Sequence, residues 1–250
     1  IGRIAASGML APHIDPATAD AFEGATALAD VWLDAAPPLF EVELDSAAAR
    51  REVEAYAADV GVDPAPALAA LGNEPVRFHA VALDAGGHPL PVQNSDEGFA
   101  LLFLDLPADE AAGMAAAATR PFPAGLLTGV GLVVANPAFA AAELEPAFDR
   151  NRYHGTVIWS WQQAVMVAGL TRQLDRAGLP ETARAALEKA RAGLLAAMAA
   201  ADAVRGSELW SWSQADGVYG VEFFGQRADD ETESNAAQLW STVHLARRVK

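Results

Sequence analysis

The chain has 250 residues, 52% of them apolar and 20% charged, with a formal net charge of −16 and no cysteine. That length and apolar content allow a sizeable core, in one large domain or two small ones, and exclude a disordered chain. The acidity argues against a nucleic-acid partner, which needs clustered Lys and Arg, and the lack of cysteine removes disulfides, thiolate catalysis and Cys-bound zinc while leaving the compartment open.

No apolar run reaches the roughly 20 residues that a membrane span needs, so no membrane partner is expected. The chain opens on Ile1 rather than Met, and further polypeptide upstream of Ile1 is expected. Alanine favours helix, and Asp15–Ala35 reads as one, with Pro16 in its first turn and Pro37-Pro38 as its stop. Asp45 or Ser46 can cap the next helix, which ends at Gly61. The period then changes. "PVRFHAVALDAGGHPLPVQ" alternates as two short strands about Asp84-Ala85-Gly86-Gly87, a hairpin signal. Asn94, Ser95 or Asp96 can cap the short apolar helix that follows, and Pro107 opens another.

Pro121–Pro137 holds too many Gly and Pro for a helix and reads as a long ordered loop with a short strand. A long helix is predicted over about Gly155–Ala177, broken by Gly178 and Pro180. A second, "PETARAALEKARAGLLAAMAAADAV", ends near Gly206. Ser207–Gly225 reads as short strands about a turn. The acidic stretch "QRADDETES" then leads to a last helix, "NAAQLWSTVHLARRV".

Three helices share one design. They open at "NSDEGFALLF", "YHGTVIWSWQQAVMVAGL" and "ESNAAQLWSTVHLA", each with a polar and aromatic front and a body apolar all round, which implies burial on most sides. "DSAAARREVEAYAADVG" and "PETARAALEKARAGLLAAMAA" instead carry charges at helical spacing, the mark of a solvated face. Inner helices alternating with outer ones build an all-α toroid, with short β-hairpins in its loops. The whole of 1–250 is expected to form a single such domain or a piece of one. The inner helices would then run parallel, and their N-termini, with unpaired N–H groups, would meet at one mouth. Taken singly, each polar front is ordinary capping; it is the repetition that points to a site.

Five of the six tryptophans, Trp159, Trp161, Trp210, Trp212 and Trp240, fall near these fronts. An indole offers a flat apolar face and one N–H donor, which suits the C–H faces and hydroxyl rims of sugars, although a lone tryptophan is usually core. On a helix, Trp159 and Trp161 would point to opposite sides, with Trp159 on the face of Gln162 and Gln163. On a strand, Trp210 and Trp212 would share a face. Asn94, Gln162, Gln163 and Gln238 could hydrogen-bond hydroxyls, and Asp96 could accept from them. Glycoside cleavage needs two carboxyl groups about the scissile bond. Glu208, in a loop beside "LWSW", is the first candidate, Glu222 the second and Glu233 the third. His154 could act as acid, base or hydroxyl donor. No metal spacing, Walker loop, dinucleotide fingerprint or G-x-S-x-G elbow occurs, and neither a metal nor a cofactor is expected.

The blocks "HPLPVQNSDEGFALLF", "FPAGLLTGVGLVVANPAF", "RYHGTVIWSWQQAVMVAGL" and "NAAQLWSTVHLA" resemble, in that order, blocks of the six-hairpin glycosidases. The chain is most similar to the C-terminal half of the glycogen-debranching amylo-α-1,6-glucosidase group, with processing α-glucosidase I similar in plan. Asn94–Gly98, Tyr153–Trp161 and Gln238–Ser241 stand where that group opens three inner helices. The resemblance implies an (α/α)6 toroid, here a partial ring. It implies an inverting hydrolase of α-glucosidic or related oligosaccharides, and a general base Glu ahead of the last inner helix. Glu208 fits by following the outer helix directly, Glu222 by its shorter distance to Gln238. It also implies that the general acid lies upstream of Ile1, and that Asn94, Asp96, Tyr153, His154, Trp159, Gln162, Trp210, Trp212, Gln238 and Trp240 line the substrate site. The family's Trp-Pro-Trp is Trp159-Ser160-Trp161 here. Two other readings stand beside the enzyme: a non-catalytic carbohydrate-binding toroid, and a helical domain whose tryptophans only pack.

Overall fold

The structure is a computed structural model that describes residues 35–225, together with Asp15, Ala17, Thr18 and Val31. The helix expected over Asp15–Ala35 falls almost wholly outside the described residues. Glu233 and the last helix, with Gln238 and Trp240, lie outside them as well.

The elements run α1 (Pro37–Phe40), β1 (Glu41–Leu44), α2 (Ser46–Val60), α3 (Ala65–Ala70), β2 (Val76–Leu83), β3 (Pro89–Asn94), α4 (Glu97–Phe103) and α5 (Ala108–Ala118). Then come β4 (Leu127–Thr128), β5 (Gly131–Leu132), β6 (Ala135–Asn136), β7 (Ile158–Trp159), α6 (Ser160–Leu174), α7 (Glu181–Ala200), β8 (Leu209–Ala215) and β9 (Val218–Glu222).

This is not the all-α toroid expected from the sequence. With 45% helix and 21% strand, the fold is mixed, and the described residues form three antiparallel sheets in the orders β1-β2-β3-β6, β4-β5 and β7-β8-β9. The two hairpins are where the sequence puts strands, but neither stays an isolated loop. A lone hairpin is marginal in water and gains from further strands. β1 is four residues long and β6 two, too short for a periodic signal, yet they flank the first hairpin on both edges. β7 extends the second hairpin, pairing Ile158 with Trp210 and Trp159 with Leu209.

Local signals explain most boundaries. Asp45 caps α2 by accepting from Ala48 N–H at 2.8 Å. Gly61 ends the helix at φ 73°, a left-handed conformation that glycine adopts without penalty. Asp84 closes the first hairpin, its Oδ1 accepting from Gly86 and His88 N–H at 2.8 Å each. Asp216 and Gly217, at φ 52° and 76°, make the tight turn of the second. Within Pro121–Pro137, buried Asn136 donates to the carbonyls of Pro123 and Gly125 at 2.8 and 3.0 Å and accepts from Ala138 N–H at 3.1 Å, replacing a ladder of backbone bonds.

Two cores result. Val76, Phe78 and Ala80 of β2 alternate onto one sheet face, where Val42, Ala49, Val53, Leu71 and Phe139 cover them. The larger core joins α4 to α7 through residues such as Leu101, Met114, Met166, Leu170, Leu187 and Leu194. Helices α4 and α6 run parallel. At their ends, Gln173 donates to Leu101 O at 2.6 Å and Arg172 to Leu104 O at 2.5 Å, serving carbonyls that the short α4 leaves open. Between the ends, glycine permits close approach. A Cβ on Gly169 would lie 2.7 Å from Leu101 Cβ and 2.9 Å from Gly98 O, and one on Gly98 3.2 Å from Met166 Cα. Gly169→Ala should therefore destabilise the protein by about 1–3 kcal/mol through overpacking, although alanine is intrinsically the better helix former by about 1 kcal/mol. The midpoint of urea unfolding reads the difference.

Candidate functional site at the heads of two parallel helices

Helix α6 starts at Ser160, five residues later than the helical pattern predicts. The residues before it do other work: Trp159 is extended at φ −96°, ψ 128° and pairs with Leu209, while Ser160 N–H donates to Glu208 O at 2.8 Å. This antiparallel splice lays the head of α6 beside Glu208, 48 positions further along the chain. It also changes the tryptophan geometry. Trp159 precedes the helix, so the helical wheel does not apply to it, and it neighbours Trp161, with ring centroids 5.9 Å apart.

Tyr153 links Glu208 to Trp159. Its hydroxyl donates to Glu208 Oε1 at 2.5 Å, and its carbonyl accepts from Trp159 Nε1 at 2.9 Å. Its ring packs on Trp159, His154 and Phe224 at 4.7, 5.2 and 6.5 Å. From there the aromatic contacts continue. Trp161 meets Phe99 at 5.7 Å, and Phe99 stacks on Phe103 at 6.2 Å. The band thus runs from half-buried Tyr153, bonded to buried Glu208, to Phe103, which is 62% exposed. Phe99 and Phe103 were not among the residues that the sequence marks out, because their i, i+4 spacing on α4 reads as core. Glu208 itself is 3% exposed and lines neither of the two large cavities described below. It does not stand at an open mouth, as expected of it.

Asn94 and Asp96 form the second half of the site. Asn94 Oδ1 accepts from Asp96 N–H at 2.9 Å, and exposed Asp96 accepts from Gln162 Nε2 at 2.7 Å. That bond ties the head of α4 to the head of α6. Gln163 turns elsewhere, accepting from Leu132 N–H at 3.3 Å. Buried polar atoms with no hydrogen-bond partner among the described residues gather here: both side-chain polar atoms of Gln93, the Ser95 hydroxyl, Glu97 Oε2, Gln162 Oε1 and Gln163 Nε2. Such atoms are rare in native interiors, and each needs a partner such as an ordered water, an ion or a ligand.

Two expected residues are corrected. Trp210 and Trp212 do share a strand face, but the face is the core. Both are wholly buried, with their indole N–H groups spent on Val130 O at 3.1 Å and Thr156 O at 2.7 Å. Neither has a face for a ligand. Glu222 is half-buried on β9, opposite Ser211, so both point to one side of the sheet. Gln238 and Trp240 lie outside the described residues.

The sequence reading missed a charged cluster on the far side of Asp96. The alternation of β2 that buries Phe78 turns His79 to the opposite face, against the head of α4. There Glu97, 5% exposed, accepts from His79 N–H at 3.3 Å, and its Oε1 lies 3.1 Å from His79 Nδ1. That hydrogen bond raises the His79 pKa above its ordinary 6.5, against the opposing effect of burial. Arg120, just past α5, is held below the usual arginine range by burial, and the charge of Glu97 partly offsets this. Two cavities adjoin the cluster. One of about 830 Å³ is lined by Asn94, Asp96, Glu97, His79 and Glu110, and one of about 650 Å³ by His79, Glu97, Glu110, Arg77 and Arg120. Only pairing in space reveals the cluster, since positions 79, 97 and 120 share no sequence spacing. Among the described residues, no group of three or more His, Asp or Glu is placed to hold a metal ion.

In comparison with known proteins, no family model matches the chain, and no curated protein matches it. The geometry has to carry the functional reading.

Two outcomes follow from these contacts. Tyr153→Phe deletes the hydroxyl donor to buried Glu208 and should cost about 1–3 kcal/mol, read by denaturant unfolding. For His79, a raised folded pKa means that its stabilisation is complete below the unfolded value and lost as pH rises through the folded one. His79→Gln should therefore lower stability more at about pH 5.5 than at about pH 9, as thermal unfolding at the two pH values would show.

Proposed function

We propose that the protein is a glycoside hydrolase acting on α-glucosidic or related oligosaccharide linkages, with inversion, and that Glu208 is its general base. The observation that carries this reading is the aromatic band that abuts a tyrosine-held carboxylate. Aromatic faces suit the C–H faces of sugar rings, and Asp96, Gln162 and exposed His154 lie alongside to meet hydroxyls. Tyr153 fixes Glu208 through Oε1, while Oε2 takes no hydrogen bond from the described residues. That oxygen is the one to take the proton of an attacking water. The reading requires a second carboxyl group, the general acid, roughly 6.5–9.5 Å from Glu208 across the sugar. The likeness of the Asn94–Gly98 and Tyr153–Trp161 blocks to amylo-α-1,6-glucosidases supports the same chemistry. The toroid that this likeness implies is not what the chain forms, so the reading rests on side chains and not on fold.

A second reading is favoured by the burial of Glu208: a carbohydrate-binding protein without catalysis, in which Glu208 serves only to hold Tyr153. The experiment compares the full-length protein with Glu208→Gln and Glu222→Gln on malto-oligosaccharides and aryl α-glucosides. We expect Glu208→Gln to lose about 10²–10⁴-fold in turnover, the range for a general base, with oligosaccharide binding kept. Unchanged turnover refutes the assignment. Tryptophan fluorescence that responds to maltotriose, with no hydrolysis by the wild type, establishes the binding reading instead.

A further inference from the structure

The cavity of about 650 Å³ between β2, α4 and α5 contains a mismatch that the hydrolase reading does not use. Glu97 is buried, and its Oε1 is committed to His79. Among the described residues, its buried Oε2 has no hydrogen-bond partner, and neither has the buried Nη1 of Arg120. Both residues line the same cavity, and no ion pair joins them within 4.0 Å among the described residues. A buried acceptor and a buried donor without partners are costly to leave so. Together they call for a ligand that donates at one point and accepts at another.

The rest of the wall narrows its chemistry. Glu41, Glu97, Asp109 and Glu110 face Arg77, Arg120 and His79 around the cavity. Four carboxylates disfavour a phosphate or other anion, which would satisfy Arg120 at the expense of Glu97. A cation would satisfy Glu97 but leave Arg120 unpaired and repelled. Hydroxyl groups do both jobs without net charge, since each can donate or accept. Pro37, Pro38, Pro75, Phe78 and Met114 give the cavity apolar wall as well, suited to C–H faces, and its volume lies within the usual range of about 300–1,000 Å³ for small-molecule sites.

We propose that this cavity binds a neutral polyhydroxy compound, one hydroxyl donating to Glu97 Oε2 and another accepting from Arg120 Nη1. The choice of a sugar as the polyol rests on the carbohydrate reading above, but the site is built from other residues than Glu208 and Tyr153. An amino-acid zwitterion, which also offers one donor and one acceptor end, is the competing occupant.

The experiment titrates the full-length protein with maltose and, separately, with L-alanine, by calorimetry, for wild type, Glu97→Gln and Arg120→Met. We expect maltose to bind the wild type and each variant to bind it about tenfold or more weakly, the loss typical of a hydrogen bond to a charged group. In case a variant fails to fold, the wild type is also followed by the NMR signals of the His79 ring, assigned from His79→Gln, which should shift on adding maltose. Unchanged maltose affinity in both folded variants, or His79 signals that maltose does not move, overturns the site. Binding of L-alanine in place of maltose overturns the ligand class. Turnover of Glu208→Gln is measured apart. Loss of maltose binding in Glu97→Gln with no effect of Glu208→Gln on hydrolysis leaves this site standing and removes the hydrolase assignment, and the reverse pattern does the opposite.

Discussion

The backbone bond from Ser160 N–H to Glu208 O is short and local in space but spans the whole α6–α7 helical hairpin. Together with the Ile158–Trp210 and Trp159–Leu209 pairs, it decides where α6 begins, which way Trp159 faces and what stands beside Tyr153. Without this splice the aromatic residues would follow a helical wheel and scatter around α6. With it they form a continuous band. A two-residue strand seldom holds anything by itself. This one is stiffened from outside by Val133, which bridges to Ile158, and by the five-pair ladder of β8 with β9.

The proposed chemistry depends on a second constraint, the parallel packing of α4 and α6. Asp96 meets Gln162 at one end, Gln173 and Arg172 reach the carbonyls of α4 at the other, and Gly98 and Gly169 sit between. The residues before each helix, Gln93 to Asp96 and Tyr153 to Trp159, are therefore brought to one end of the molecule. That is also where the unpartnered buried atoms collect. Specific polar positions and packed glycines describe one arrangement from two sides: small residues admit the backbones, and the polar heads are presented together as a result.

Much of this was legible in the sequence, and for definable reasons. Asp45, Gly61, Asp84 and Gly217 act through residue chemistry that needs no tertiary context, so α2 and both hairpins could be placed. The polar, aromatic fronts at Asn94 and Tyr153 did mark neighbouring helix heads. The architecture was not legible, because strands β1 and β6 carry too few residues to show a period, and pairing with partners far along the chain leaves no local trace. The start of α6 was misplaced because Gly155–Trp159 has the apolar pattern of a buried helix and becomes extended only through a partner far along the chain. Trp210 and Trp212 read as surface platforms by composition, yet their indole N–H groups found backbone carbonyls, and the ring of Trp212 found Phe122 and Tyr219 nearby. The pairing of His79 with Glu97 needed the alternation of β2 to be known before it could be seen.

The glycine contact between α4 and α6 has one more consequence. Two backbones that touch without intervening side chains have no lubricating layer to slide on, so their relative height is set by main-chain sterics. The carboxylate of Glu97 and the ring of Trp161 therefore ride on one rigid beam. In the proposed sites, the spacing between these groups is therefore preset by the contact of the two helices and not by side chains that can turn.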